Sequence, residues 1–210
     1  LVSIHDSDNA FPQWKEFNEM IGVGGWGGRN RATGPMIRWT DGKMVLDSTS
    51  PGIGGGGAMH PNRHDFLVTT RTPDHPIMQG LPAAWLHAND EEYSQLRGPA
   101  QNVTVLATAI TEKRAAPGSA PEAEPKKGPP APAGTGEHEP MLMTITYGKG
   151  RIFHTTLGHV GPRENPPFKP LIDVGFIVTL QRGTEWVATG KVTQKVPADF
   201  PTADAVSLRN

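Results

Sequence analysis

The 210-residue chain contains no cysteine. That absence excludes disulfides, thiolate metal sites and a cysteine nucleophile together, and it leaves the redox compartment open. Long hydrophobic runs are also missing: no stretch approaches the roughly eighteen apolar residues that a membrane-spanning helix needs. Neither sign of charge dominates, with 20 Lys and Arg against 21 Asp and Glu. No basic cluster falls on one predicted face, so nucleic acid is disfavoured as a partner. Apolar residues make up only 36% of the chain, and 25 Gly and 21 Pro fill the deficit. Such a composition predicts one sizeable core wrapped in long loops. The opening Leu1-Val2-Ser3-Ile4 lacks a Met and a basic leader, and reads as the interior of a buried strand. The expectation is that further strand and helix units precede it.

The chain is organised around Met141 to Val160. Met141, Met143, Ile145 and Tyr147 alternate with Leu142, Thr144 and Thr146, which is strand periodicity. Gly148-Lys149-Gly150 supplies a turn and Arg151 to Thr155 returns, giving a hairpin. His154 ends that second strand and His159 follows in the next loop, after Gly158.

At the front, the strand Leu1 to Ile4 leads into the polar elbow His5-Asp6-Ser7-Asp8-Asn9. A helix is predicted over Pro12 to Ile21, with Phe11, Trp14, Phe17 and Ile21 on one face and Gly22 as its stop. His5 therefore lies at a strand end, either as a site residue or as a hydrogen-bonded loop histidine. Residues 22 to 65 are rich in Gly but show no convincing phosphate-binding pattern. Met36 to Trp39 and Lys43 to Leu46 flank Thr40-Asp41-Gly42, a hairpin signal. His60 and His64 have the i, i+4 spacing of paired metal ligands, yet Pro61 argues for loop surface.

Phe66 to Thr70 and Val103 to Ile110 read as strands, and His75 before Pro76 reads as structural. Between the strands lies His87-Ala88-Asn89-Asp90-Glu91-Glu92-Tyr93, the most titratable stretch of the chain. It offers metal ligands or an acid/base pair; the alternative is a solvated helix start with an acidic first turn. Glu112 to Glu139 lacks large apolar residues and predicts a disordered insert with His138 exposed. Leu171 to Ala188 is the longest helix candidate, ended by Gly190. The body of the domain spans residues 1–196, and 197–210 form an extended tail.

Four stretches resemble the ThuA-like (trehalose-utilisation) family. They are Asp74-His75-Pro76-Ile77 with Gly80-Leu81-Pro82; His87 with Asp90-Glu91 and Tyr93; Tyr147-Gly148-Lys149-Gly150-Arg151 with Phe153 to His159; and Gln181-Arg182-Gly183 with Glu185-Trp186. The resemblance covers about residues 60 to 195. It implies an α/β fold of the flavodoxin-like, class I glutamine amidotransferase-like kind, a three-layer sandwich whose relatives carry further strand-helix units at the front. It also places His5 at the elbow where amidotransferases keep a nucleophilic Cys, so glutamine hydrolysis through a thiolate is excluded here. Sugar metabolism, on trehalose-related or 3-keto sugars, is the implied role. The insert and the His60-Pro61-Asn62-Arg63-His64 segment depart from the family pattern.

The expected centre gathers distant histidines at the carboxyl edge of a parallel sheet. His5, His87 and His154 are the expected ligands of a divalent metal, Zn²⁺ first, with Glu91, His154 and His159 as acid/base groups. Isomerisation, hydrolysis or elimination on a sugar all fit. A metal-free acid/base site is a second form of the same idea. The reading from another class is a carbohydrate-binding or interaction domain, with Trp26, Trp39 and Trp85 stacking on sugar rings. The expected partner of the enzyme is a small sugar substrate, the Pro-rich insert is the candidate partner contact of the interaction domain, and self-association into a homo-oligomer stays open.

Overall fold

The computed structural model describes residues 1–51, 58–111, 134–161 and 164–209. The chain runs β1 (Val2–Ile4), a 3₁₀ turn (His5–Asn9), α1 (Lys15–Ile21), β2 (Met36–Thr40), β3 (Lys43–Asp47), β4 (His64–Thr70) and β5 (Ala84–Asp90). It continues with β6 (Val103–Ile110), β7 (His138–Tyr147), β8 (Gly150–Thr155), α2 (Lys169–Ile172) and α3 (Val174–Thr189). Six strands form the path β1-β8-β7-β6-β4-β5, and the β2–β3 hairpin attaches to β7.

The sheet is mixed rather than parallel. Among the described residues β1 and β8 pair in parallel and every other strand pair is antiparallel. Following those pairings, β1, β8, β6 and β5 point one way, so their carboxyl ends share an edge. Flat strands about 4.8 Å apart would hold β5 roughly 19 Å from β8. Yet Asp90 at the end of β5 accepts a hydrogen bond from Gly158 N, just past β8, at 2.6 Å. The sheet is therefore curled. The bend falls where β4 meets β6 through only Thr69↔Thr108 and Thr70↔Ala107.

The central hairpin forms as its alternation predicts. Tyr147 pairs with Gly150 across the two-residue turn Gly148-Lys149, and Gly148 has φ 57°. Its apolar positions serve two cores on opposite faces. Met141, Leu142, Phe153 and Leu157 join Trp85, Leu106 and Phe176; Met143, Ile145 and Ile152 join Val23, Tyr93 and Val105. The second hairpin also forms, with Asp41 at φ 51° and Gly42 at φ 74°, the left-handed pair that a two-residue type I′ turn requires.

Four expected boundaries move. The first helix begins at Lys15, because Phe11 has φ 47° and Trp14 is extended; both side chains are exposed while Phe17 and Ile21 are buried. The stretch containing His87 is the strand β5, not a helix start, and it pairs with β4. Residues 112–133 of the expected insert lie outside the described residues, but its last two belong to β7. There His138 is half-buried and Glu139 is buried on Arg38. The long C-terminal helix is divided at Asp173, whose ψ of 127° ends α2 and whose side chain accepts from Phe176 N to cap α3. Beyond Gly190 the chain packs back on the body: Leu86 N donates to Thr202 O, and Phe200 lies against Trp85.

Candidate active site

Local structure first puts His5 on an unusual backbone. β1 ends at Ile4, and His5 opens the 3₁₀ turn with φ 42°. A non-glycine residue there is strained, and such strain persists only where its surroundings hold it. The holding contact is the His5 ring: Nδ1–H donates to Thr156 O at 2.7 Å. That bond fixes the tautomer, so the neutral ring aims the Nε2 lone pair at the carboxyl edge.

Three side chains meet at that edge. His5 Nε2 lies 2.9 Å from His159 Nδ1 and 3.6 Å from Glu91 Oε2, and His159 Nδ1 lies 3.1 Å from the same Glu91 oxygen. Their side chains are 6%, 16% and 13% exposed for His5, His159 and Glu91, so the cluster is recessed but reachable. One ligand atom from each falls within 4.8 Å of the others. On its far side, His159 Nε2 sits 3.4 Å from Glu164 Oε1, and Glu164 is itself paired with Arg63.

A second tier surrounds the three. Tyr93, buried, donates its hydroxyl proton to Asp6 Oδ1 at 2.9 Å and lies 3.0 Å from His5 Nε2. His60 Nε2 stands 3.7 Å from Glu91 Oε2, and the Trp26 ring packs against both Tyr93 and His60. Burial pulls the His5 pKa down, but Glu91, the Thr156 carbonyl, Asp90 and Asp6 outweigh it and leave the pKa raised. Burial, Asp6, Asp8 and Glu91 all push Tyr93 upward, so it stays a protonated hydroxyl. Three lone pairs facing one point in an acidic surround favour a cation or a shared proton.

The structure brings together three of the five residues expected at the centre. His5, Glu91 and His159 converge, while His87 and His154, expected as metal ligands with His5, are held elsewhere. His87 is fully buried, and its two ring N–H groups donate to Asp90 Oδ2 at 2.7 Å and Asp173 Oδ1 at 3.1 Å. Burial alone would lower its pKa, but the two carboxylates drive it to about 9, so the ring is an imidazolium with no lone pair to give. His154 is also fully buried on the other side of β8, where Nδ1–H donates to Ile21 O at 2.7 Å. Its Nε2 faces Asp8 at 3.9 Å. Burial holds His154 at about 4 and pushes Asp8 up to about 7. Metal ligation by His87 and proton transfer to substrate by His154 are thus both displaced by packing contacts.

The centre expected from the sequence did not include Asp6, Tyr93 or His60. For Asp6 and Tyr93 a signal existed, since each lies within two residues of a named candidate. For His60 the signal was its i, i+4 spacing to His64, which Pro61 and the glycines before it outweighed by pointing to surface loop.

The fold and the cluster define an α/β protein with a histidine–carboxylate centre at one edge of a curled mixed sheet. The chain belongs to the ThuA family, described as Trehalose utilisation, whose sequence pattern it matches over residues 1–175. Its structure is similar to that of a ThuA-like protein from Parabacteroides merdae, with 41% identity and a TM-score of 0.82; the match covers 99% of this chain and 67% of that one. A ThuA-like protein from Bacteroides uniformis matches at 17% identity and a TM-score of 0.49, over 91% of this chain and 60% of that one. No curated protein matches the chain. Among the described residues no helix is long and apolar enough to cross a membrane.

Proposed function

We propose that the chain is a sugar-metabolising enzyme acting on trehalose-related or 3-keto sugars, with metal-assisted acid/base chemistry at His5, Glu91 and His159. The observation that carries this reading is the convergence of three ligand atoms within 4.8 Å on a recessed, reachable edge. The donor set suits a Zn²⁺-type ion: two imidazoles and one carboxylate, with the His5 tautomer already fixed by Thr156 O. Such an ion supplies polarisation of a sugar carbonyl or a lowered pKa for water. The chain's own work is to orient the imidazoles, to hold a proton at Glu91 or His60, and to keep Tyr93 as a neutral hydrogen-bond donor. In this reading His87 and His154 support the fold and do not touch substrate.

The finer fold assignment, a flavodoxin-like sandwich of the class I glutamine amidotransferase kind, is part of the same proposal. Its support is the parallel β1–β8 pair and the strained elbow at His5. The elbow carries an imidazole in place of a thiol, so the proposed chemistry is not amide hydrolysis.

The test is elemental analysis of the purified chain together with turnover of 3-keto-glucosides and trehalose derivatives, with and without chelator. The reading expects about one divalent ion per chain, lost in Glu91→Gln, and chelator-sensitive turnover. Chelator-resistant turnover by metal-free protein replaces the ion with a proton shared among the same three groups. Absence of turnover on every such sugar refutes the enzyme. One observation favours the non-catalytic alternative: Trp26, unlike the fully buried Trp85, is partly open and lies against Tyr93 and His60 beside the cluster. Sugar binding without turnover, weakened by Trp26→Ala, is its signature.

A further inference from the structure

We infer that Asp90, braced by His87 against Asp173, is the positioning residue that sets the spacing of the His5–Glu91–His159 centre. This rests on reading that cluster as the site. Asp90 is fully buried, and both of its oxygens are used twice. Oδ1 accepts from Glu91 N at 2.8 Å and from His159 N at 3.0 Å. Oδ2 accepts from Gly158 N at 2.6 Å and from the His87 ring at 2.7 Å. One carboxylate therefore holds the backbone of two of the three cluster residues, which arrive from β5 and from the loop after β8.

Asp90 is in turn not free to rotate. The His87 imidazole fixes one of its oxygens and hands the other ring N–H to Asp173 Oδ1, which also accepts from Phe176 N at the start of α3. The third member is held at the same place, since His5 donates to Thr156 O, two residues before Gly158. The brace Asp90–His87–Asp173 thus ties the site to α3 through buried, charge-assisted hydrogen bonds, which are short and directional. Because the amides of Glu91 and His159 come from two segments far apart in sequence and meet on one carboxylate, a change at Asp90 reaches both cluster residues.

The experiment compares the wild-type chain with His87→Gln and Asp90→Asn, using Co²⁺ as the probe. Glu139→Gln, which weakens the buried Arg38 pair and touches Gln95 N and Thr135 but none of the three cluster residues, is the control for general loss of stability. The inference expects His87→Gln and Asp90→Asn to bind Co²⁺ about 10- to 100-fold more weakly, with an altered visible spectrum. Glu139→Gln keeps the wild-type affinity and spectrum while melting lower. Unchanged Co²⁺ affinity and spectrum in His87→Gln overturn the inference. If the wild type binds no Co²⁺, the metal reading fails, and positioning is decided by nuclear magnetic resonance on metal-free protein. There the amides of Gly158 and His159, outside any helix or strand, exchange slowly in the wild type, and the His5 and His159 ring signals move in His87→Gln. Fast-exchanging amides, or ring signals that do not move, overturn it.

Discussion

Replacing His154 by Ala tests most directly whether this histidine belongs to the chemistry or to the packing. The ring is fully buried within β8, donates to the Ile21 carbonyl at 2.7 Å and faces the buried Asp8 carboxyl. Truncation removes one of the two donors to Ile21 O, which keeps Val23 N at 3.0 Å, so the lost hydrogen bond itself costs about 1 kcal/mol. It also leaves a cavity where a ring stood, and large-to-small core changes cost about 2–5 kcal/mol. A combined loss of about 4 kcal/mol corresponds to a fall in Tm of about 8–16 °C for a chain of this size. The assay is a thermal melt followed by circular dichroism, run beside Co²⁺ binding and sugar turnover below the new Tm. The expected result is a large fall in Tm with binding and residual turnover preserved. A Tm within about 2 °C of wild type, together with abolished turnover, would refute the packing argument and return His154 to the catalytic set.

Two other predictions follow from buried groups on the same edge. His87 has its folded pKa raised from 6.5 to about 9, so its stabilising contribution is fully present below pH 6.5 and is lost as pH rises to 9. A shift of that size in a fully buried group is worth about 3 kcal/mol; melts across pH 6.5–9 should show the fall in wild type and a flatter profile in His87→Gln. Gly158→Ala should lower stability by about 1–3 kcal/mol, because φ of 109° is strained for any side chain. The added Cβ would also meet the Phe176 ring at 2.9 Å. Displaced His5 and His159 ring signals in the same variant would show that the strain reaches the cluster.

The parts of the fold legible in the sequence are those whose signal is local. Alternation from Met141 to Tyr147 and the turn at Gly148 announced the central hairpin, and Thr40-Asp41-Gly42 announced the other. The polarity of His87 to Tyr93 suggested a solvated helix start; the chain instead takes His87 to Asp90 into strand β5, because their polar atoms find partners from distant segments. Asp173, 86 residues away, takes one side of His87. No window around His87 could show that, and the same blindness made it look like a free ligand. His60, whose spacing to His64 suggested a metal ligand, stayed ambiguous for the opposite reason: its neighbours are poor formers of any regular element, and its position depends on how the loop lies over Glu91.

The same contrast explains why His5, Glu91 and His159 come together when His87 and His154 do not. His87 and His154 sit inside strands with regular geometry, where a ring points into one face of the sheet and is consumed by packing. The three that converge lie past strand ends, beside irregular backbone: His5 has φ 42°, Asn89 at the close of β5, two residues before Glu91, has φ 47°, and Gly158 before His159 has φ 109°. Left-handed conformations at His5 and Asn89 cost of order 1–3 kcal/mol each and survive only when neighbouring contacts over-determine them. Those contacts are Thr156 O on His5, Asp65 on the Asn89 amide and Asp90 on the amides of Gly158 and His159. Departures from local preference cluster at functional sites because a fold can maintain them only at some expense to its stability. Here the three departures fall at or within two residues of His5, Glu91 and His159, whose ligand atoms lie within 4.8 Å of one another, and that coincidence is what sets them apart from three unrelated strained turns.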